Sequence, residues 1–308
     1  MTRTQSAWRP ERAIEIVAGT PPGGGLDRTA RALAQAIESQ KLAGVPVKVI
    51  NMPGDGSRRI WAYLDRFQND PHVLVVSSPN VTTDNLTGHT AYDHGSYTPL
   101  AILHNEYLAF VVRADSPLAD AAQLRVRLAA EAGSLKVALA TSLGNPSHIA
   151  LARVVRHLRG DVRALRVHAF DSARHAVASV VAGGCDIGAV SAASAVPELL
   201  DGTLRALAVS APARLAGPYA QTPTWAERGI DCVAGIWRGV NGARGLTVAQ
   251  IAYWDDVLSS ATLGDEWKSA IARHCWSAMY RNSEQLRDYL PCERAEMCAM
   301  LAELGLPR

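Results

Sequence analysis

Apolar and polar positions along residues 14–77 follow two alternating patterns: short β-branched runs, and longer stretches with an apolar side chain every three or four residues. Within residues 26–40, Leu26, Leu33 and Ile37 fall on one helix face together with two alanines. The patterns predict a strand at 14–18, a helix at 26–40, a strand at 45–51, a helix at 58–67 and a strand at 73–77. Such alternation is typical of βαβ units around a parallel sheet, against which the amphipathic helix packs.

A second series of the same kind begins near residue 107. It predicts strands at 108–112, 136–140, 165–169, 187–190 and 205–209, and helices at 119–130, 146–158 and 173–181. From residue 247 onward the pattern is mostly helical, and Pro291 predicts a kink or break in a last helix at 283–304. A chain of 308 residues with two such series is long enough for two lobes, each with its own core.

Two segments lead from a predicted strand into a predicted helix and carry residues suited to an anion. Residues 20–27 read Thr-Pro-Pro-Gly-Gly-Gly-Leu-Asp, and residues 141–148 read Thr-Ser-Leu-Gly-Asn-Pro-Ser-His. The first amides of a helix have no internal partner and the helix dipole adds partial positive charge, so such a turn binds a small anion without Lys or Arg. The glycines and the Thr and Ser hydroxyls add close approach and further donors. Two such turns facing one cleft would hold a carboxylate.

Composition narrows the class of partner. Apolar residues make up 48% of the chain and charged residues 19%, and the net charge of +2 comes without any concentrated block of Lys or Arg, which argues against a nucleic-acid surface. No apolar run approaches the roughly 20 residues of a membrane-spanning helix. The glycines lack the spacing of a phosphate loop or dinucleotide site, and the nine histidines lack metal-ligand spacing, so no cofactor and no metal is expected.

Several further short motifs stand in order along nearly the whole chain. They are Trp8-Arg9-Pro10, Pro-Gly-Gly-x-x-Asp-x-x-x-Arg at 22–31, Asn-Met-Pro-Gly-Asp-Gly at 51–56, Arg-Ala-Asp-Ser-Pro at 113–117, Gly-Asn-Pro-Ser-His at 144–148, Ala-Gly-Gly-Cys-Asp at 182–186, Leu-Ala-Val-Ser at 207–210, Pro-Thr-Trp-Ala-Glu-Arg-Gly at 223–229 and Trp237-x-Gly239. Each motif is weak alone. In this order and spacing they resemble the periplasmic solute receptors of tripartite tricarboxylate transporters, often called Bug receptors.

This resemblance implies a two-lobed, Venus-flytrap-like α/β fold of the periplasmic-binding-protein type, with two mostly parallel sheets flanked by helices. Residues 1–106 and 233–308 would form one lobe and residues 107–232 the other. The implied function is capture of a small organic carboxylate in the cleft, through amides, hydroxyls and ordered waters, by a monomeric receptor that serves membrane transporter subunits. Its location would be periplasmic if a signal peptide has been removed, and cytoplasmic if the chain is complete as written.

The candidate ligand-binding residues follow from the two turns and from the resemblance. They are Thr20, Pro22, Gly23, Gly24, Gly25, Asp27, Arg58 and Ser78 in the first half, and Thr141, Ser142, Gly144, Asn145, Ser147, His148, Phe170 and Asp171 in the second. Asp27 has a competing role as a helix cap and His148 as a buried helix residue. Arg58 stands where the family usually has small residues, and it either begins a solvated helix or reaches the cleft to pair with a second acidic group.

A different class of function stays open at this stage. A cytoplasmic enzyme of the same fold would act on a small carboxylate, with His148, Asp27 and Asp171 as its acid and base groups. The chain has no Gly-x-Ser-x-Gly and no His-Glu-x-x-His motif, so nucleophilic and metal-based chemistry lack a motif in the sequence. The binding protein is therefore the main hypothesis, and the enzyme is the alternative.

Overall fold

The first lobe is built on alternating strands and helices. The computed structural model describes residues 8–306. The lobe begins with β1 (Ile14–Ala18), α1 (Gly25–Ser39), β2 (Val47–Asn51), α2 (Arg59–Leu64), β3 (Val73–Ser77) and α3 (Asn80–Leu86). β1 lies between β2 and β3 and pairs with both in parallel. Ile14, Ile16 and Val17 are fully buried, as expected for a strand that is covered on both faces.

One long strand, β4 (Thr98–Arg113), carries the chain from the first lobe into the second. Its first part pairs antiparallel with β9 (Gly235–Gly242) and β10 (Ser277–Arg281). From Leu108 onward it pairs antiparallel with strands of the second lobe. β9 also runs antiparallel to β3, so it returns the chain to the first lobe. The lobes are therefore connected by two strands that lie side by side.

The second lobe repeats the alternation of strands and helices. Its elements are α4 (Ala121–Ala130), β5 (Lys136–Ala140), α5 (Pro146–His157), β6 (Arg166–Phe170), α6 (Ala173–Val181), β7 (Ile187–Ser191), α7 (Ala192–Leu200) and β8 (Leu204–Val209). β5 lies between β6 and β7 and is parallel to both. Leu124, Val154 and Trp225 belong to one buried apolar cluster, which gives this lobe a core of its own.

The last three helices pack on the first lobe and then extend to the second. They are α8 (Val248–Leu263), α9 (Asp265–Arg273) and α10 (Ser283–Glu303). Trp254 of α8 and Trp267 of α9 join the apolar cluster formed around α1. Near its start α10 packs through Leu286 on the first lobe, and near its end Leu301 packs on Ile149 of the second. α10 therefore contacts both lobes.

The two-lobed α/β architecture agrees with the sequence prediction, although α3, α7, β9 and β10 were not predicted and further details differ. The sheets are mixed, because the crossing strands β4 and β9 run antiparallel to their neighbours. The strand predicted at 108–112 is only the end of β4. The helix α10 continues through Pro291. Proline has no N–H, so the carbonyl four residues earlier lacks its helical partner. This side of the helix faces water, which can hydrate that carbonyl. Within residues 8–306, no helix combines the length and the apolar character needed to cross a membrane.

Candidate functional site

A cavity of about 70 Å³ lies between the lobes, where strands of both lobes end. Thr20 follows β1, Ser78 follows β3, Thr141 follows β5 and Ser172 follows β6, and each of them lines the cavity. Its other polar walls come from Gly24, Gly25, Ser57, Asn80, Asn145, Ser147, Arg174, Ser191, Ser194 and Arg238. In open α/β sheets, ligands bind outside the carboxyl ends of the parallel strands. The cavity therefore occupies the place where this architecture binds ligands.

The first turn presents the N-terminus of α1 to the cavity. Gly24 is the N-cap residue and makes no side-chain cap, while the Thr20 hydroxyl accepts the Asp27 N–H at 3.1 Å. A Cβ on Gly24 would lie 2.5 Å from the Thr20 Cβ and Oγ1 atoms, so the turn requires glycine for this close approach. Because Thr20 accepts from the helix, its own hydroxyl hydrogen is left to donate toward the cavity.

Asp27 holds the first turn together and does not line the cavity. Its carboxylate accepts from Gly23 N–H at 2.7 Å, Asn51 Nδ2 at 2.8 Å and Arg31 Nε at 2.9 Å. Burial acts to raise the pKa of Asp27, but the hydrogen bonds from Arg31, Asn51 and Gly23 outweigh it and leave the pKa below its ordinary value. The carboxylate is thus already bonded on several sides within its own lobe.

The second turn presents the N-terminus of α5. Asn145 caps this helix by accepting the His148 N–H at 2.9 Å, and Pro146 occupies the first helical position, which suits proline. The Gly144 N–H donates to His148 Nδ1 at 3.0 Å. Burial lowers the pKa of His148 to about 4, so the ring is neutral and can accept this bond. His148 supports the turn from within and does not line the cavity.

Three hydrogen bonds cross between the lobes beside the cavity. Asn80 Nδ2 donates to Thr141 Oγ1 at 2.8 Å, and Ser142 Oγ donates to Asp84 Oδ1 at 2.9 Å. Arg28 Nη2 donates to Ser194 Oγ at 3.2 Å. Asp84 is buried, which raises its pKa despite the bond from Ser142. The two lobes are in direct polar contact in this conformation.

Two further helices of the second lobe begin at the cavity. α6 is capped by Ser172, whose hydroxyl accepts the His175 N–H at 3.2 Å. α7 follows Ser191, whose hydroxyl caps no backbone N–H of the helix and shares a hydrogen bond of 2.8 Å with the Ser194 hydroxyl. The dipoles of both helices therefore add partial positive charge to the same wall.

Arginines contribute most of the charge near the cavity. Arg238 of β9 is 9% exposed and donates to Glu106 Oε2 at 2.9 Å. Burial acts to raise the pKa of Glu106, but the charges of Arg238 and Arg28 outweigh it and hold that pKa at about 2. Arg174 of α6 forms a bidentate pair with Glu198, with distances of 2.7 and 2.6 Å. The sequence-based expectation of an anion site without Lys or Arg therefore omitted the positive charge that these arginines place at the wall of the cavity.

Arg58 lies beside the cavity in a smaller one of about 20 Å³. Its Nη2 pairs with Asp55 at 2.5 Å and its Nη1 with Asp84 at 3.5 Å. Burial acts to lower the pKa of Arg58, but these two carboxylates outweigh it and raise the pKa. Arg58 is thus the N-cap residue of α2, and its guanidinium group is paired with two carboxylates of its own lobe.

The structure brings together seven of the sequence-predicted residues at the cavity: Thr20, Gly24, Gly25, Ser78, Thr141, Asn145 and Ser147. Pro22, Gly23 and Asp171 are exposed, and Phe170 is half-buried and packs against the core of its lobe. Ser142 and Gly144 are buried in the second turn without lining the cavity. Within residues 8–306, no three His, Cys, Asp or Glu side chains are grouped as metal ligands would be.

A larger depression of about 700 Å³ lies at the far end of the second lobe. Its carboxylates are engaged locally, since Asp115 accepts from Arg113 Nε at 2.9 Å and Asp186 accepts from the Lys136 N–H at 2.7 Å. No helix of this lobe begins there except α4, whose Asp120 cap is already bonded to Gln123. The interlobe cavity is therefore the stronger candidate, although it is smaller.

Solved structures of solute-binding proteins share this architecture over almost the whole chain. A TctC solute-binding protein from Polaromonas is 25% identical, with 96% of this chain and 99% of that chain covered and a TM-score of 0.69. The fold is that of the TctC and Bug solute-binding proteins. The periplasmic binding protein BugD is 20% identical, with 97% and 99% covered and a TM-score of 0.83. MatC from Rhodopseudomonas palustris, solved with bound malate, is 22% identical, with 95% and 99% covered and a TM-score of 0.80.

These structures confirm the resemblance to the Bug receptors at the level of fold. No family model matches the chain, and no curated protein matches it. The polar lining residues that sequence reasoning missed are Ser57, Asn80, Ser172, Arg174, Ser191, Ser194 and Arg238. Ser172 follows β6 and Ser191 is the last residue of β7, and each precedes a helix, which is the signal used for the two turns. Arg238 gave no such signal, because it lies within the crossing strand β9.

Proposed function

We propose that the protein is a solute receptor that captures a small organic carboxylate between its lobes. The observation that carries this proposal is the meeting of two helix N-termini, α1 from one lobe and α5 from the other, at one cavity. The backbone amide of Gly25 and the hydroxyls of Thr20, Thr141 and Ser147 supply donors without a competing carboxylate among the lining residues. An anionic group is the natural complement of such a wall.

Binding and lobe closure are coupled in this proposal. The lobes comprise residues 1–106 with 233–308, and residues 107–232, and the ligand lies against donors of both. A ligand that contacts both lobes favours the closed state over the open one. The polar contacts between Asn80 and Thr141, and between Asp84 and Ser142, support such a closed state. Closure then presents a changed surface to the membrane subunits of a tripartite tricarboxylate-type transporter, which a monomeric receptor would serve in the periplasm.

The enzyme hypothesis gains no support from the geometry. His148 accepts a hydrogen bond inside its own turn, Asp27 is bonded to its own loop, and Asp171 is exposed. None of these three residues lines the cavity in the described part of the chain. The acid and base groups that the hypothesis named therefore do not converge on one ligand.

A thermal-shift screen tests the proposal. Purified protein is heated with mono-, di- and tricarboxylates, amino acids and non-acidic analogues, and each stabilising compound is analysed by mass spectrometry after incubation. A ligand at a hundred times its Kd adds ~2.7 kcal/mol to the free energy of unfolding, which shifts the melting temperature measurably. We expect stabilisation by carboxylates that stay chemically unchanged. Stabilisation by no carboxylate would refute the receptor, and conversion of one would establish the enzyme instead.

A further inference from the structure

One of the contacts between the lobes involves a carboxylate. Asp84 of α3, in the first lobe, is 2% exposed, and its Oδ1 atom accepts a hydrogen bond from the Ser142 hydroxyl of the second lobe at 2.9 Å. Ser142 stands in the turn before α5 and is also buried. Separation of the lobes would remove Ser142 from Asp84 and expose that oxygen to water. The surroundings of this carboxylate therefore depend on whether the lobes are open or closed.

The basic groups near Asp84 compensate its charge only in part. The Nη1 atom of Arg58 lies 3.5 Å from Asp84 Oδ2, at the outer limit of a hydrogen bond, while the Nη2 atom of the same guanidinium lies 2.5 Å from Asp55 Oδ1. One cation thus serves two carboxylates of its own lobe. His89, the other basic group that acts on Asp84, is exposed and shares a hydrogen bond of 2.7 Å with Thr87 Oγ1. These two groups therefore neutralise the Asp84 carboxylate incompletely.

Burial is the largest influence on Asp84. It raises the pKa of this carboxyl group, and the hydrogen bond from Ser142 and the charges of Arg58 and His89 lower the pKa by less. An ionised carboxylate between closed lobes therefore costs free energy, because it gives up more hydration than its partners return. A bound carboxylate cannot offset this cost, since two negative charges repel each other. The cost is offset only by contacts that a solute makes elsewhere in the cavity.

The other polar contacts between the lobes have a different character. Asn80 and Thr141 are both neutral, so their hydrogen bond costs little hydration. Arg28 is a cation bonded to Ser194, which lines the cavity, and an anionic solute there would favour its charge. Among these three contacts, that of Asp84 alone opposes closure both with and without an anion.

We propose that Asp84 keeps the ligand-free receptor open, so that the lobes close only around a bound solute. This inference rests on the proposed function, in which a solute that contacts both lobes favours the closed state. Closure without a solute removes water from Asp84 and returns the Ser142 hydrogen bond alone. Closure around a solute adds contacts at both turns, and these offset the cost. Asp84 does not line the interlobe cavity, so it acts as a positioning residue that sets the balance between the open and closed states.

Small-angle scattering of the ligand-free protein tests this inference. Asp84→Asn removes the charge and keeps a hydrogen bond to Ser142, because a hydroxyl can accept from the amide nitrogen or donate to the amide oxygen. We expect the ligand-free variant to have a smaller radius of gyration than the ligand-free wild type. With malate as the probe, calorimetry should show roughly tenfold tighter binding by the variant, because the apparent Kd falls as the closed state becomes more populated.

Two further variants separate closure from other effects of the charge. Asp256→Asn also removes a negative charge from the first lobe, but its carboxylate is exposed on α8, so the radius of gyration and the affinity should stay at the wild-type values. Ser142→Ala removes the partner from the second lobe. It should weaken malate binding more in the wild type than in Asp84→Asn, because a buried charge loses more than a neutral amide when its partner is removed. Melting temperatures of the ligand-free variants verify that they are folded.

The outcomes separate this inference from the proposed function. Compaction of ligand-free Asp84→Asn that is absent from Asp256→Asn supports the role of Asp84 in the balance of open and closed states. Equal radii of gyration in ligand-free Asp84→Asn and the wild type overturn that role, even if malate binds more tightly, because the charge then acts on the anion and not on closure. Failure of every carboxylate to bind the wild type overturns the receptor, whereas the scattering of the ligand-free proteins still decides the role of Asp84.

Discussion

Asn80 of the first lobe donates from its Nδ2 atom to the Oγ1 atom of Thr141 in the second lobe at 2.8 Å. Thr141 has a φ of 69°, in the left-handed region that β-branched residues rarely adopt, and its N–H donates to the Phe170 carbonyl at 2.6 Å. Both Asn80 and Thr141 line the cavity. The strained turn thus places one hydroxyl where it both joins the lobes and faces the candidate ligand site.

Asn80→Ala should weaken carboxylate binding roughly fivefold, because the closed state loses one hydrogen bond worth ~1 kcal/mol between the lobes. Titration calorimetry measures the affinity, and small-angle scattering measures how far the ligand closes the protein. Gln68→Ala removes an exposed amide from the same lobe and should change neither quantity. The same affinity in both variants would mean that this contact does not contribute to closure.

Two neighbouring glycines give a matched pair for the first turn. A Cβ on Gly24 would lie 2.5 Å from Thr20 atoms, whereas a Cβ on Gly23 meets nothing within 4 Å and only its φ of +81° is unfavourable. Gly24→Ala should therefore displace the Thr20 hydroxyl and abolish binding, while Gly23→Ala should cost ~1 kcal/mol of stability and retain binding. Calorimetric titration of both folded variants measures their affinity for the carboxylate. Retained affinity in Gly24→Ala would remove the turn from the site.

The sequence predicts the first turn and the fold well because their signals are local. Glycine spacing, β-branched runs and the amphipathic face of α1 all lie within about fifteen consecutive residues. The same reasoning finds Thr20, Gly24, Thr141 and Asn145, each of which lines the cavity. It also favours the helix-bound role for Asp27, and the structure places that carboxylate within its own turn.

The positive charge at the wall of the cavity was not predictable in this way, because the arginines come together only when distant segments meet. Arg238 and Glu106 are 132 residues apart in sequence and meet because β4 and β9 pair across the lobes. The role of Gly144 also depends on tertiary contact. A Cβ on Gly144 would lie 2.7 Å from Leu301 of α10, so bulk at this position acts on the packing of that helix.

Variants of the Arg238 and Glu106 pair can distinguish an effect on the free energy of unfolding from an effect on carboxylate binding. Arg238→Met leaves the Glu106 carboxylate buried without its cation and should lower the free energy of unfolding at pH 7 by about 3 kcal/mol. The double variant Arg238→Met, Glu106→Gln removes the unpaired charge and should recover most of that stability. Urea denaturation measures the free energy of unfolding, and calorimetry measures carboxylate binding.

We expect binding to stay weak in the double variant, because the cavity has lost a guanidinium group while the buried charge has been removed. Glu106→Gln alone controls for the loss of the carboxylate and retains the Arg238 side chain. Recovery of both stability and affinity in the double variant would show that Arg238 serves only to neutralise Glu106. Recovery of stability alone would place Arg238 in the binding wall.

The carboxyl group of Glu293 in α10 should make stability depend on pH. Burial raises the pKa of Glu293 from 4.5 to about 7, although Trp237 Nε1 at 2.6 Å and Tyr289 OH at 3.0 Å donate to its Oε1 atom. The folded state therefore holds this proton more tightly than the unfolded chain. Its ionisation costs stability progressively between about pH 4.5 and 7, and that cost is complete above pH 7.

Glu293→Gln keeps an oxygen acceptor for Trp237 and Tyr289 without the charge. It should exceed the wild type in free energy of unfolding by on the order of 2 kcal/mol at pH 8, and the difference should shrink toward pH 5. Urea titrations across this range measure the difference.

Buried histidines such as His94 and His104, whose pKa values burial lowers to about 4 and about 3, destabilise both proteins alike as the pH falls. Their contribution cancels in the difference between the two proteins, and Glu284→Gln, at an exposed glutamate of the same helix, should give no such pH dependence. A difference that stays constant with pH would show that Glu293 is ionised at ordinary pH in the folded protein.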